Sequence, residues 1–203
     1  RKSFNNLGFL QIDRLEQAKV QVNVGKGGAF PCHFDLPSSL SAKRLLTVLL
    51  YLNPEWTEGD GGEVELFPFP FQDAILEPLH QRLVAFSSCT SLHRVRPFVG
   101  NPGRVFLNLW FEGKVLSDHS SFPLPDLDVA DSYDPRACKI VRILRQPPAE
   151  LRAFCKVWYS DTMVQSLRDA FEESEDLEAA IELHMEEMTE IESRIATATI
   201  QVL

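Results

Sequence analysis

Only four cysteines occur in the 203 residues, Cys32, Cys89, Cys138 and Cys155, and none stands in the short paired spacing of a zinc site. They also fall short of the density of a disulfide-stapled secreted domain, so a reducing, intracellular setting, cytoplasmic or nuclear, is expected. Long apolar runs are missing as well. Residues 45–52 have only the length of a strand, so no membrane partner is expected. Basic residues are outnumbered, 20 Lys and Arg against 29 Asp and Glu, for a formal charge of −9. Such a chain repels a phosphate backbone, which argues against nucleic acid as a partner. Much of the excess is local: residues 171–192 carry many carboxylates and no Lys or Arg, leaving the remainder near balance. Internal repeats and low-complexity tracts are lacking too. The first residue is Arg1, which fits a piece of a longer product, so the missing signal peptide carries no weight.

What is present is a chain that is 44% hydrophobic, enough for one substantial core. Residues 19–24 alternate polar and apolar, the period-two mark of a strand with one face in a core, and Gly25, Gly27 and Gly28 end it. Residues 44–53 are apolar on both faces, which predicts a central, doubly covered strand. Further strands are expected over 61–67, which Pro68 and Pro70 restrict to an edge or terminate, and over 82–87, 92–95 and 104–111. Many short strands without clear intervening helices predict a mainly β sandwich or jelly roll. Residues 120–134 are rich in Pro, Asp and Ser and read as a surface connection. Helical spacing follows, with Pro148 in a first turn and Leu151, Phe154, Cys155 and Trp158 on one face. Ser174 reads as an N-cap, and Leu177, Ile181, His184, Met188, Ile191 and Ile195 form a seam. That divides the chain into a core at 1–119, a connection at 120–146 and a helical extension at 147–203. The seam is expected to lie against the barrel flank or the preceding helix of a monomer, with pairing of two subunits as the alternative. His184 is expected to be a packed or half-exposed histidine.

The chemistry concentrates in His33, Asp35, His93 and Arg104. On an extended segment His33 and Asp35 leave from the same face, and His93 then comes from a neighbouring strand. Two imidazoles and one carboxylate leave coordination positions open, the arrangement that suits non-haem Fe(II) activating O2. Arg104 shares its alternation with Phe106, Asn108 and Trp110 and can point inward. A guanidinium buried there needs an anion, which a dicarboxylate satisfies with paired hydrogen bonds.

The ordered set His33-x-Asp35, the strand ending Tyr51-Leu52-Asn53, Gly61-Gly62, His93-x-Val95, and Arg104 with Trp110 resembles the Fe(II) and 2-oxoglutarate-dependent dioxygenases, in particular their prolyl 4-hydroxylase-like branch. The likeness spans about residues 17–113. It implies a double-stranded β-helix (jelly roll) with flanking and C-terminal α-helices. It implies His33, Asp35 and His93 as iron ligands and Arg104, with Tyr51, as the pair that holds the distal carboxylate of 2-oxoglutarate. Leu49, Val64, Val95, Asn108 and Trp110 fall where the family lines the co-substrate pocket. The implied cofactors are Fe(II), 2-oxoglutarate and O2, with ascorbate in support, and the implied activity is hydroxylation with release of succinate and CO2. A carboxylate at Asp35 argues against halogenation. Asn23 stands where the oxygen-sensing members carry a tyrosine, which separates this chain from their slow response to O2. The expected partner is a protein or peptide substrate presenting a prolyl residue. A small-molecule substrate and a silent scaffold that binds through the acidic helix are the alternatives. Residues 36–43 and 53–60 are candidates to border the substrate entrance.

Overall fold

A computed structural model describes residues 10–35, 44–115 and 148–200. Strands β1 (Leu10–Asn23), β8 (Arg104–Val115), β3 (Arg44–Tyr51) and β6 (Leu83–Ser87) form one sheet in that order. Strands β2 (Gly28–His33), β7 (Leu92–Phe98), β4 (Val64–Phe67) and β5 (Ala74–Leu76) form the other, and the paired strands of both sheets run antiparallel. This is the mainly β jelly roll, and Leu49, Tyr51, Val64, Val84, Phe86 and Phe106 pack together in its core. The strand at 44–51 is central, between β8 and β6, and Thr47, Val48, Leu49 and Tyr51 are buried, as its two-sided apolar pattern requires. Pro68 falls just past β4 and ends it, while β4 itself lies inside the sheet between β7 and β5.

The first strand departs from expectation in its orientation. Its alternation is real, yet Val20 and Val22 are 63% and 62% exposed, whereas Lys19 and Gln21 line the interior cavity. The register explains it: Lys19 lies opposite Asn108 and Gln21 opposite Phe106, so the polar set shares the inner face of β8. Asn23 closes the turn into β2, donating from Nδ2 to the Gly28 carbonyl at 2.6 Å and accepting from the Gly25 amide.

Three helices follow, α1 (Pro148–Trp158), α2 (Ser160–Ala170) and α3 (Glu175–Ile200). Ser174 caps α3, its Oγ accepting from the Leu177 amide at 3.2 Å. Helix α2 has no counterpart in the sequence reading, because it is short and carries few large apolar residues. It packs on the outer face of the β2–β7 sheet, where Tyr159 and Met163 meet Cys32, Phe67 and Leu92. The seam of α3 is spent inside the chain: Leu177, Ile181 and Met188 are buried, α3 contacts α1 and α2, and His184 is half-buried. No described helix is long and apolar enough to cross a membrane. Residues 36–43 and 120–146, with Cys138, lie outside the described residues, apart from which Cys32, Cys89 and Cys155 are free.

An ion network fastens α2 to the sheet. Glu65 on β4, 7% exposed, accepts from Arg94 Nε at 2.7 Å and from Arg96 at 3.2 Å, while Arg94 Nη1 donates to Asp169 on α2 at 2.9 Å. Burial would raise the Glu65 pKa, but hydrogen bonds from Arg96 and Arg94 win and hold it below its ordinary value. A depressed carboxylate contributes stability above its unfolded pKa and loses it as pH falls through the folded one. Glu65→Gln should therefore destabilise the protein by about 3 kcal/mol at neutral pH in urea unfolding, with the deficit shrinking in acid. A deficit independent of pH would show that the charge is not responsible.

Candidate active site

Antiparallel pairing of β2 with β7 sets His33 directly opposite His93. Their rings lie 4.3 Å apart between centroids, and Asp35, just beyond the end of β2, joins them. His33 Nε2 is 3.6 Å from Asp35 Oδ1 and His93 Nε2 is 3.8 Å from Oδ2. One ligand atom from each of the three residues falls within a 4.8 Å cluster, a size that suits one ion. Backbone carbonyls aim the imidazoles. His33 Nδ1 contacts the Pro31 oxygen at 2.8 Å and His93 Nδ1 the Ser91 oxygen at 3.1 Å, which places a proton on each Nδ1 and leaves each Nε2 lone pair to the cluster.

The charges are poised for a cation. Burial would raise the Asp35 carboxyl, yet His33, His93 and Thr47 pull it well below the usual carboxylate range. His93 is pushed down to about 4, first by burial and then by the neighbouring His33. Burial also opposes charge on His33, but the contacts with Asp35 and the Pro31 carbonyl outweigh it and leave its pKa raised. At neutral pH the cluster thus offers an ionised carboxylate and an unprotonated His93.

Beside the cluster lies a cavity of about 130 Å³. Leu49, Val64, Val95, Asn108 and Trp110 line it together with His33, Asp35 and His93. Phe106 lines it too, on the inward alternation it shares with Arg104, and so do Lys19, Gln21 and Phe30, which were missing from the sequence reading. The signal for Lys19 and Gln21 was the polar alternation of β1, legible as an inner face only once its partner strand is known. Arg104 and Tyr51 are fully buried, and Arg104 follows the same inward alternation of β8 as Phe106, Asn108 and Trp110. The guanidinium carbon lies 4.2 Å from the Phe106 ring centroid, and Nη2 reaches the Tyr51 hydroxyl at 3.4 Å. Its Nε and Nη1 have no hydrogen-bond partner among the described residues. Such a cation fits an acid that brings its own oxygens. Gly62 makes room for it, since a Cβ there would sit 2.7 Å from Arg104 Cδ, whereas Gly61 is needed for close backbone approach, a Cβ there falling 1.9 Å from the Pro97 oxygen.

One substrate-entrance candidate is displaced. In the 53–60 segment, Trp56 Nε1 donates to the Gly61 carbonyl, and Gly61 bridges to Phe98. Phe98 is at the other end of β7 from His93, about 16 Å along the strand at the usual rise. The segment closes the Arg104 end of the barrel instead of bordering the metal cluster.

Two facing sheets that enclose a His-Asp-His cluster and a buried arginine have the architecture of a non-haem iron oxygenase. Residues 18–112 match the model of the 2OG-Fe(II) oxygenase superfamily. They form a domain of that family, and the chain is similar to solved prolyl 4-hydroxylases. A crystal structure of prolyl 4-hydroxylases from Phytophthora capsici is 30% identical with a TM-score of 0.68, over 95% of this chain and 62% of that one. A prolyl-4-hydroxylase from Pseudomonas putida is 26% identical with a TM-score of 0.50, over 56% of this chain and 61% of that one. The chain therefore spans about three fifths of the length of these structures. No curated protein matches it in sequence.

The sign of one pH effect follows. On unfolding, His93 regains its ordinary pKa of 6.5, whereas the folded metal-free site holds it near 4. Stability from this group is complete above the unfolded value and is lost as pH falls toward the folded one, by roughly 3 kcal/mol in all. Denaturant melts of metal-free protein should decline less steeply between those two pH values in His93→Gln than in wild type. Parallel declines would mean that His93 is not the group responsible.

Proposed function

We propose that this chain is a dioxygenase that uses Fe(II), O2 and 2-oxoglutarate to hydroxylate a prolyl residue in a protein or peptide, releasing succinate and CO2. The observation that carries this reading is the buried, half-unpartnered guanidinium of Arg104 in the barrel that holds the His33, Asp35 and His93 cluster. In the proposal His33 Nε2, Asp35 and His93 Nε2 hold the ion. Arg104 and the Tyr51 hydroxyl bind the distal carboxylate of 2-oxoglutarate, while Leu49, Val64 and Val95 pack against its carbon chain. When bound, Fe(II) with 2-oxoglutarate and O2 supplies the oxidant that inserts oxygen into a C–H bond.

The residues of the chain supply position and exclusion. Arg104 has rings on two sides, Phe106 and Tyr51, so it cannot turn away to solvent and offers its free N–H groups in a fixed direction. Among the described residues the buried Asn108 Oδ1 has no hydrogen-bond partner and faces groups that a bound molecule would bring, while the Trp110 side chain turns toward Asp35 and helps hold its carboxyl low. Apolar walls from Leu49, Val64, Val95 and Phe106 keep water scarce around the reacting centre. A prolyl substrate is supported by the likeness to the Phytophthora capsici and Pseudomonas putida prolyl 4-hydroxylases. The acidic surface of α3 suits a basic target protein. Retention of an inward arginine counts against a silent scaffold, which would gain nothing from the cost of burying it.

Purified protein given Fe(II), ascorbate and 2-oxoglutarate should form succinate, and faster with proline-bearing peptides. Mass spectrometry of treated cell extract should find new hydroxyprolines; new oxygen only on small molecules would overturn the protein-substrate reading. Arg104→Ala should weaken 2-oxoglutarate binding at least ~100-fold, the loss of roughly 2.7 kcal/mol of charge-assisted hydrogen bonding, with metal affinity within ~3-fold of wild type. Normal co-substrate affinity in that variant would show that the anion binds elsewhere.

A further inference from the structure

Asp35 has no strand of its own to fix it, since β2 ends at His33. Its side chain is instead tethered across to the other sheet. Thr47, in the middle of β3, donates from Oγ1 to Asp35 Oδ2 at 2.7 Å. Ser88, just past the end of β6, lies 2.8 Å from the same Thr47 oxygen. Both residues are fully buried, and the Ser88 amide is fastened to the Leu45 carbonyl at 3.1 Å. The direction of the chain of bonds is forced. An ionised carboxylate only accepts, so the single Thr47 proton goes to Asp35, and Ser88 must donate to Thr47.

We propose that Thr47, set by Ser88, is a positioning residue that holds Asp35 to one-oxygen ligation of the metal. The inference rests on the metal-site reading above. With Oδ2 engaged by the threonine hydroxyl, Oδ1 is the oxygen left to the ion. The distinction matters because three protein donor atoms on an octahedral ion leave three positions, enough for a chelating acid and O2. A carboxylate binding through both oxygens would take one of them. Valine in place of threonine keeps the shape, removes the proton and frees Oδ2 to swing onto the ion. Outer partners of this kind also tune affinity, commonly by 10- to 100-fold.

The test uses Co(II) and Mn(II) as probes on wild type, Thr47→Val, Thr47→Ser and Ser88→Ala. Wild type should bind Co(II), and its Mn(II) form should carry about three exchangeable waters by oxygen-17 broadening. Thr47→Val should lose about 10- to 100-fold in Co(II) affinity and carry about two waters, Thr47→Ser should restore both, and Ser88→Ala should lose about 3- to 10-fold. Thermal unfolding of the metal-free forms identifies any variant that has not folded. If Thr47→Val is one, Ser88→Ala carries the test alone. Wild-type affinity and water number in a folded Thr47→Val, or in Ser88→Ala when it stands alone, overturn the proposal and leave the metal site standing. Absence of Co(II) binding by wild type overturns the metal-site reading and this proposal with it.

Discussion

His33 facing His93 across the β2–β7 pair is the constraint from which the site is built. Both imidazoles are rigidly presented because each leaves from a paired backbone, and each is turned by a carbonyl two residues before it in the chain. The third member of the cluster, Asp35, cannot share that support. It sits beyond the strand end and is reached from the other sheet by Thr47, so the cluster is assembled from both layers of the jelly roll. Slipping β2 by one residue would turn His33 to the opposite face and dissolve the site, whatever the rest of the fold did.

At the other end of the interior, Arg104 works under a different economy. The aromatic faces of Phe106 and Tyr51 and a weak hydroxyl contact do not neutralise it. Burial lowers its pKa, although not enough to make an arginine neutral, so a permanent cation stays enclosed in an apolar shell. Glycine at 62 leaves that cation the space it needs, and the turn of residues 53–61 closes over the end. The barrel is therefore polarised, with a cation-binding cluster toward one end and a fixed positive charge toward the other. A small molecule with an acid at each end complements that axis.

Much of this was legible in residue order. The inward alternation of Arg104, Phe106, Asn108 and Trp110, the two-sided strand at 44–51, the cap at Ser174 and the seam of α3 are local patterns, and local patterns survive without a fold. What escaped was non-local. Lys19 and Gln21 look like a solvent face until β8 is laid beside them. Thr47 and Ser88 are 41 residues apart, and neither has a pattern that marks it as a support for Asp35. Helix α2 was hidden because it carries few large apolar residues, although those it has serve to dock it onto β2 and β7.

That docking has a consequence for solubility. Among the described residues β2 is the outermost strand of its sheet and bears the candidate ligand His33, so it cannot be protected by shortening it further or by placing charges along it without disturbing the site. Ser166 of α2 accepts the Cys32 amide at 2.9 Å, and that is a proton an incoming strand would otherwise capture. The helix thus serves as a bumper on the open side of the sheet. It denies neighbouring molecules a template for edge-to-edge pairing at the place where the candidate site most needs its strand undistorted.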